Sequence, residues 1–531
     1  MALDDKYLVP NSCLTAAGGA LEFDRALQVV MQDMLAVVVD AECKVDIYIS
    51  ENHESNIQVQ NHLEKFRMMD ILIDDVNQIK LCDMKTIKTF YNQSASVYSD
   101  EESSHVQRNI VTLIQTAASR KVSDIHININ AANTVIQFRK FKRLHHYKED
   151  LRNNGYDLLQ TMYNFMTDVA DPMFKSTEPQ DAVINNPAFL TKSLNGVRVN
   201  IVPTTEGWKA CLRLLYQTTR GDVNSLEQLG YNQRLLNDIR KVTAKSSGIL
   251  VISGPTNSGK STTLKVLLEE VAKKNGCQED GTGCEINIMT VEDPSEYKIL
   301  GAVQLAVTGG ETDEERNLQY HSYLKSLLRQ DPDVLMIGEI RDIISAKAAI
   351  KNAMSGHLCF TTIHTNDAFT IIDRLIEIGV DPANVLNSGI VSGLLAQRLV
   401  PLLCTHCSIT LESAISEYNP ARLERLRDIF DNDLSGIRIR NPGGCLHCEG
   451  LGISGVTVVA EMIPTDKKFM KLRQQGKMDE AYLYWRKELH GQTLMEHGLE
   501  KIKAGSCDPK DVEAELEELF IENLQQLEAI A

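Results

Sequence analysis

Residues 254–262 read GPTNSGKST, with four residues between Gly254 and Gly259, which is followed by Lys260, Ser261 and Thr262. This is the Walker A pattern, and its flanks fit: the apolar β-type run GILVIS precedes it and helix-forming residues follow. The glycines let the loop's backbone N–H groups close around phosphate oxygens, where a Cβ would block the turn. Lys260 supplies a cation to the β- and γ-phosphates, and the helix start adds the positive end of its dipole. Ser261 offers a hydroxyl to Mg²⁺. Gly254, Pro255, Thr256, Asn257, Ser258, Gly259, Lys260, Ser261 and Thr262 are therefore the expected cradle of a nucleoside triphosphate, with Mg²⁺ as its metal.

Three further groups could act on such a ligand. The apolar run Val334–Ile337 ends in Gly338-Glu339, a Walker B-like strand with glycine where the usual Mg²⁺-holding aspartate belongs. Glu339 remains at the strand's carboxyl end, where it can orient or deprotonate an attacking water; otherwise it is a solvent-facing strand end. After another buried run come Glu292, Asp293 and Glu296, three acids that could hold Mg²⁺ or its waters. His364 closes the run HLCFTTIH, either as a structural histidine or as a sensor of the γ-phosphate. Separately, Cys404-x-x-Cys407 and Cys445-x-x-Cys448 lie 37 residues apart and supply the four thiolates of a closed tetrahedral Zn²⁺ site. No thioredoxin-like unit surrounds either pair, so a redox role is disfavoured. His406 and His447 read as bystanders, and the other cysteines, such as Cys211 and Cys359, as small buried hydrophobes.

The elements that must hold these residues follow from the hydrophobic pattern. With 531 residues the chain needs three or four domains. Its 43% hydrophobic and 24% charged residues are ordinary for a globular protein, and the twelve cysteines suggest metal or buried thiols before disulfides. No run is long enough to span a membrane, and the acidic start MALDD is unlike a signal peptide, so a cytoplasmic protein is expected. The net charge of −17 disfavours nucleic acid as a partner. The local basic run Arg139–Arg143 reads as a solvated or subunit-facing strand edge, or else as a lipid or nucleic-acid contact. From 248 to 400, short apolar strands alternate with helical segments, the pattern of a parallel α/β sheet. Upstream, SDIHININ with TVIQFRKF, and GVRVNIVP with WKACLRLLY, read as hairpins. Helical periodicity over residues 21–42 and a strand at VDIYIS precede a polar linker ending near 107. DVEAELEELFIENLQQLEAIA, with Val512, Leu516, Leu519, Leu524 and Leu527 on one face, reads as a packed or intersubunit amphipathic helix. The expected boundaries are 1–104 for an N-terminal docking domain and 105–220 for a mixed α/β domain. A connector (221–247), the ATPase domain (248–400), the cysteine module (401–455) and a C-terminal helical region (456–531) follow.

Together, TVEDPSEY, LLRQDPDVLMIGEIRD, GHLCFTTIHTNDA and AQRLV resemble the secretion and type IV pilus traffic ATPases, in that family's order and spacing. The likeness covers about residues 105–510 and is nearest to type IVb pilus extension motors such as that of the bundle-forming pilus. It implies a RecA-like P-loop domain behind a PAS-like mixed domain, and a homohexamer that couples ATP hydrolysis to pilus assembly. The implied partners are an inner-membrane platform protein and accessory inner-membrane pilus proteins, which recruit the motor to the cytoplasmic face. By position, Arg198 and Arg213 match the family's arginines that reach the triphosphate, the arginine-finger arrangement. Gln137 replaces an arginine of the family's IRFRVDG strand, and the Asp-Gly of its turn is missing here. The FAR arginine is also absent, with Ser322 and Lys325 nearby. The tetracysteine insertion and extra N-terminal domain are features of assembly and secretion motors rather than retraction motors. Type II secretion is the alternative role; a conjugation-type nucleic-acid motor and a non-hydrolysing scaffold are more distant ones.

Overall fold

The computed structural model describes residues 35–39, 45–50, 73–79, 100–167, 173–216, 225–278, 280–293, 295–307, 313–522 and 525. Contacts divide the chain into two compact units, residues 1–113 with 160–162, and residues 114–159 with 163–531. In the first, β1 (Leu35–Val39), β2 (Val45–Ser50) and β3 (Ile73–Ile79) form a three-stranded sheet. The strand at VDIYIS matches the alternation, but LAVVV is a strand where helical periodicity predicted helix. Its three adjacent valines are β-branched and favour the extended chain. Helix α1 (Asp100–Ser119) takes in the end of the stretch read as a linker.

The second unit holds two sheets that matter for function. The first is antiparallel and six-stranded, in the order β6-β5-β4-β9-β8-β7. Its strands are β4 (Asp124–Ile129), β5 (Asn133–Lys140), β6 (Arg143–Leu151), β7 (Gln180–Ile184), β8 (Leu194–Pro203) and β9 (Trp208–Tyr216). Both predicted hairpins are present, β4 with β5 and β8 with β9. Period-2 alternation buries Ile125, Ile127, Ile136, Phe138, Val197, Val199, Leu212 and Leu214 on one face. The other face carries the polar set. Across it, Arg198 pairs with Arg213, Arg213 with Asp124, and Asp124 with Arg139, one row over four adjacent strands.

The second sheet has seven strands, in the order β12-β11-β13-β14-β10-β15-β18. These are β10 (Gly248–Ser253), β11 (Ile288–Glu292), β12 (Ala302–Ala306), β13 (Val334–Ile337), β14 (Leu358–Ile363), β15 (Val391–Leu403) and β18 (Ile453–Pro464). All neighbours run parallel except β15 and β18. Every residue of β10, β13 and β14 is buried, as strands covered on both faces require. The sheet continues through the cysteine segment, because β18 returns from beyond it to pair along β15. The cysteine segment itself carries the two-stranded pair β16 (Ile409–Thr410) and β17 (Arg438–Ile439).

Helix α2 (Lys260–Lys274) follows the P-loop, and α3 (Pro509–Glu515) lies near the C-terminus. The first helix of the amphipathic pattern after 511 ends at Glu515, where Leu516 leaves the helical region with φ −107° and ψ −90°, and residues 516–522 are irregular. Val512 and Leu519 are buried all the same, while Leu524 and Leu527 lie outside the described residues. Cys277 and Cys284 form a disulfide, contrary to the expectation of buried thiols, whereas Cys359 is a buried free cysteine as read. Among the described residues no helix is long and apolar enough to cross a membrane.

Phe360, wholly buried in β14, touches the core on which the parallel register depends. Phe360→Ala is expected to cost about 3–5 kcal/mol of stability, read as a fall in the urea midpoint.

Candidate functional site

At the carboxyl ends of β10, β11, β13 and β14 lies a cleft of about 670 Å³. Thr256–Thr262 form its floor, with Glu292, Asp293, Glu296, Glu339 and His364 along one side and Arg213 and Arg139 from the antiparallel sheet. The P-loop has the backbone that its glycines predict. Gly254 and Gly259 have φ 149° and 83°, and a Cβ on Gly254 would lie 2.5 Å from the Gln397 carbonyl oxygen. Lys260 opens α2, and its Nζ donates to the carbonyls of Gly254 (2.8 Å) and Pro255 (3.0 Å). Burial pushes its ammonium down to about 8, with Glu339 pulling the other way. Ser261 is exposed to the cleft, and Thr262 shares a hydrogen bond with Tyr297.

Glu339 is held from both sides. His364 Nε2 lies 3.3 Å from Oε1 and Arg341 Nε 3.2 Å from Oε2. Its backbone carbonyl accepts from Tyr320, and the preceding Gly338 carbonyl accepts from Thr362. A Cβ on Gly338 would stand 3.2 Å from the Val291 carbonyl, so the glycine permits close strand packing.

The three acids read as possible Mg²⁺ holders differ in their surroundings. Asp293 is bound by Arg316 (2.7 Å) and Arg341 (2.9 Å), which overcome its burial and hold it below the usual carboxylate range. Glu292 accepts from Thr290 (2.7 Å) and Gln304 (3.0 Å), and burial raises it. Glu296 lines the cleft within electrostatic reach of Lys260, Arg198 and Arg213. The geometry thus makes Asp293 an anchor for arginines rather than an open ligand.

Of the two predicted arginines, Arg213 lines the cleft and donates through Nε to Asp124 at 2.9 Å. Arg198 stands one strand further out, beside Arg316, Asp293 and Glu296; burial and Arg316 lower it. Arg139 also lines the cleft and lies 4.0 Å from the same Asp124, a third arginine that the strand's missing family residues had obscured. Like charges directly across a strand pair are unfavourable, so an arginine row above a phosphate-binding loop points to a polyanion.

Behind the P-loop, Gln397 and Arg398 of the AQRLV run brace the site. Gln397 Nε2 donates to the Ser258 carbonyl at 2.7 Å, and its Oε1 accepts from Tyr231, whose hydroxyl also meets Thr263. Arg398 donates to the Asn366 carbonyl, tying β15 to the loop after His364.

The four predicted cysteines converge. Their sulfurs lie within 4.8 Å of one another, with Cys404–Cys445 at 3.8 Å and both Cys407–Cys448 and Cys445–Cys448 at 3.7 Å. Four sulfurs about 2.3 Å from one tetrahedral ion would be about 3.8 Å apart, so the cluster fits Zn²⁺. The N–H groups of Cys445 and Gly452 point at the Cys448 sulfur, each at 3.1 Å. His406 and His447 stack outside the cluster with ring centres 3.9 Å apart. Gln397→Ala should weaken ATP binding about tenfold with the fold kept, because the Ser258 carbonyl of the P-loop loses its buried donor; titration of a fluorescent ATP analogue checks this.

Residues 99–521 match the family model described as type II/IV secretion system protein. The type IV pilus assembly ATPase PilB of Thermus thermophilus is 30% identical over 414 residues, 77% of this chain but 43% of that protein. The chain thus spans less than half of that relative's length. The type II secretion system ATPase E of Vibrio cholerae is likewise 30% identical, over 426 residues, 79% of this chain and 77% of the other. Among solved structures, the Legionella pneumophila ATPase DotB superposes with a TM-score of 0.51 at 19% identity, covering 75% of this chain and 93% of that one. The fold is therefore that of the secretion ATPases, a RecA-like P-loop domain with a mixed α/β partner domain, and the chain belongs to the type II/IV secretion system protein family.

Proposed function

We propose that this protein hydrolyses ATP as a hexameric motor and that its work is type IV pilus extension at the cytoplasmic face of the inner membrane. The observation that carries the reading is the cleft, where a P-loop, a carboxylate at a strand end, and Arg213 and Arg139 face one volume, with Arg198 next in the row. The P-loop N–H groups and Lys260 bind the β- and γ-phosphates. Ser261 would hold Mg²⁺, which supplies charge neutralisation between those phosphates, with Glu296 the acid best placed to order its waters. Glu339 accepts the proton of the attacking water. The water oxygen bonds to the γ-phosphorus, the bond to the β–γ bridging oxygen breaks, and ADP and phosphate leave. His364, in contact with Glu339, senses the γ-phosphate. Arg213 and Arg198 stabilise charge on the transferring group, and Arg139 adds to it. Because these arginines come from a different sheet than the P-loop, binding at the γ-phosphate draws the two together, and hydrolysis releases them.

The cysteine cluster is a structural zinc site that pins the excursion between β15 and β18. The docking partners in this reading are an inner-membrane platform protein and accessory pilus proteins, with no nucleic acid. A second reading, type II secretion, is favoured by the secretion ATPase relative at the same 30% identity as the pilus one. Deleting the gene separates them: loss of surface pili with normal exoprotein release supports extension, and the reverse supports secretion.

Glu339→Gln should retain ATP binding and lose hydrolysis by on the order of 10²-fold or more, whereas Lys260→Ala should lose tight binding. Near-normal phosphate release by the glutamine variant would remove Glu339 from the chemistry. Arg198→Ala and Arg213→Ala should each lower turnover by at least on the order of 10²-fold, Arg198→Ala leaving the urea midpoint in place and Arg213→Ala lowering it by stripping a partner from buried Asp124. Elemental analysis of fresh, reduced protein should give about one zinc per chain, lost in Cys448→Ser.

A further inference from the structure

The basic run 139–143, read from sequence as a free strand edge or an external contact, is the turn between β5 and β6, and it docks on the protein's own acids. Lys140 Nζ lies 3.1 Å from Glu449, beside Cys448. Lys142 pairs with Glu515 at the end of α3 and donates to the Leu399 carbonyl at 3.3 Å. Arg143 donates to Asp511 in α3. Asp511 is 3% exposed, and its other carboxylate oxygen accepts no hydrogen bond among the described residues, so Arg143 is its hydrogen-bonded cation. Breaking one partner of such a buried pair leaves an uncompensated charge.

The turn also needs holding. Lys140 pairs with Arg143 across a two-residue loop, and Phe141 and Lys142 have φ 50° and 68°. Two positive φ values make a turn that ordinarily selects Asn-Gly; with Phe-Lys it persists where surrounding contacts fix it. Those contacts reach the nucleotide cleft. Phe141 and Lys142 line it, and the Lys142 carbonyl accepts from Arg139 Nη1 at 2.9 Å.

We propose that the β5–β6 turn is a clasp in which Glu515 and Asp511 hold Lys142 and Arg143, and through them position Arg139 and Phe141 at the nucleotide cleft. Lys142 and Arg143 are positioning residues, and the segment 511–515 sets the affinity for ATP from outside the cleft. The clasp rests on the ATPase reading for its effect on ATP but not for its existence, so the test has two arms.

In the full chain, Lys142→Glu, Glu515→Lys and the double charge swap are compared, with Arg143→Ala as a further variant. Without nucleotide, amide hydrogen exchange at 139–143 should quicken in each single variant and in Arg143→Ala, and return towards the wild-type rate in the swap. With ATP, KM should rise about fivefold in the single variants, kcat falling as well where Arg139 is displaced, and the swap should recover KM. Exchange unchanged in the single variants and in Arg143→Ala would overturn the clasp. Faster exchange with KM unmoved, or a swap that rescues neither reading, would overturn the positioning role. A wild-type chain that binds no ATP would sink the ATPase reading and the positioning role together, leaving the clasp to be judged on exchange alone.

Discussion

The parallel register of β11, β13, β14 and β10 is the constraint from which the site follows. Val291 lies beside Ile337, Ile337 beside Thr361, and Thr361 beside Val251. Counting two or three residues on from that row brings Glu339, His364 and Gly254 to the same edge of the sheet, with Glu292 one residue on. No local signal holds these groups together; they are 25–110 positions apart, from Gly254 to His364 at the widest. The register does so because each strand buries both faces, and a slip would tear side chains out of two packed layers. The P-loop then needs only the glycine turn and a helix start, both encoded locally.

The second requirement is charge. The cleft gathers Lys260, Arg139, Arg213, Arg341 and His364 within one volume, and the chain pairs most of them with carboxylates. Asp124 carries Arg213 and Arg139, Asp293 carries Arg316 and Arg341, and Glu339 meets Arg341 and His364. Such pairing makes a cation-rich cleft tolerable during folding and lets a triphosphate compete for the same cations. The arginine row sits on a separate sheet whose other face is apolar, so motion of that sheet moves the cations as a set.

Much of this was legible in the sequence because it depends on short-range pattern. The Walker A loop, the buried strands ending in Glu339 and His364, and the paired CxxC knuckles all announce themselves within a few residues. The rest depends on partners far along the chain. Gln397 supports Ser258 from 139 positions away, and Arg143 finds Asp511 across 368. Nothing near 139–143 distinguishes a docked basic turn from a solvated one. The Cys277–Cys284 disulfide, seven residues apart, escaped because cysteines in such a chain read first as thiols. At LAVVV, helical periodicity and β-branching disagreed, and pairing with β2 decided for strand. Over residues 516–522 the apolar spacing continues although the helix does not, since burial of Leu519 is met by an irregular chain.

The most direct measurement is a crystal structure of the full chain with Mg²⁺ and a slowly hydrolysed ATP analogue. The account predicts the γ-phosphate within hydrogen-bond reach of Lys260 Nζ, at about 2.8–3.0 Å, a water between it and Glu339, and Arg213 turned onto the phosphates. A nucleotide bound elsewhere, or one bound in the cleft with Glu339 and the arginine row both turned away from the γ-phosphate, would contradict it.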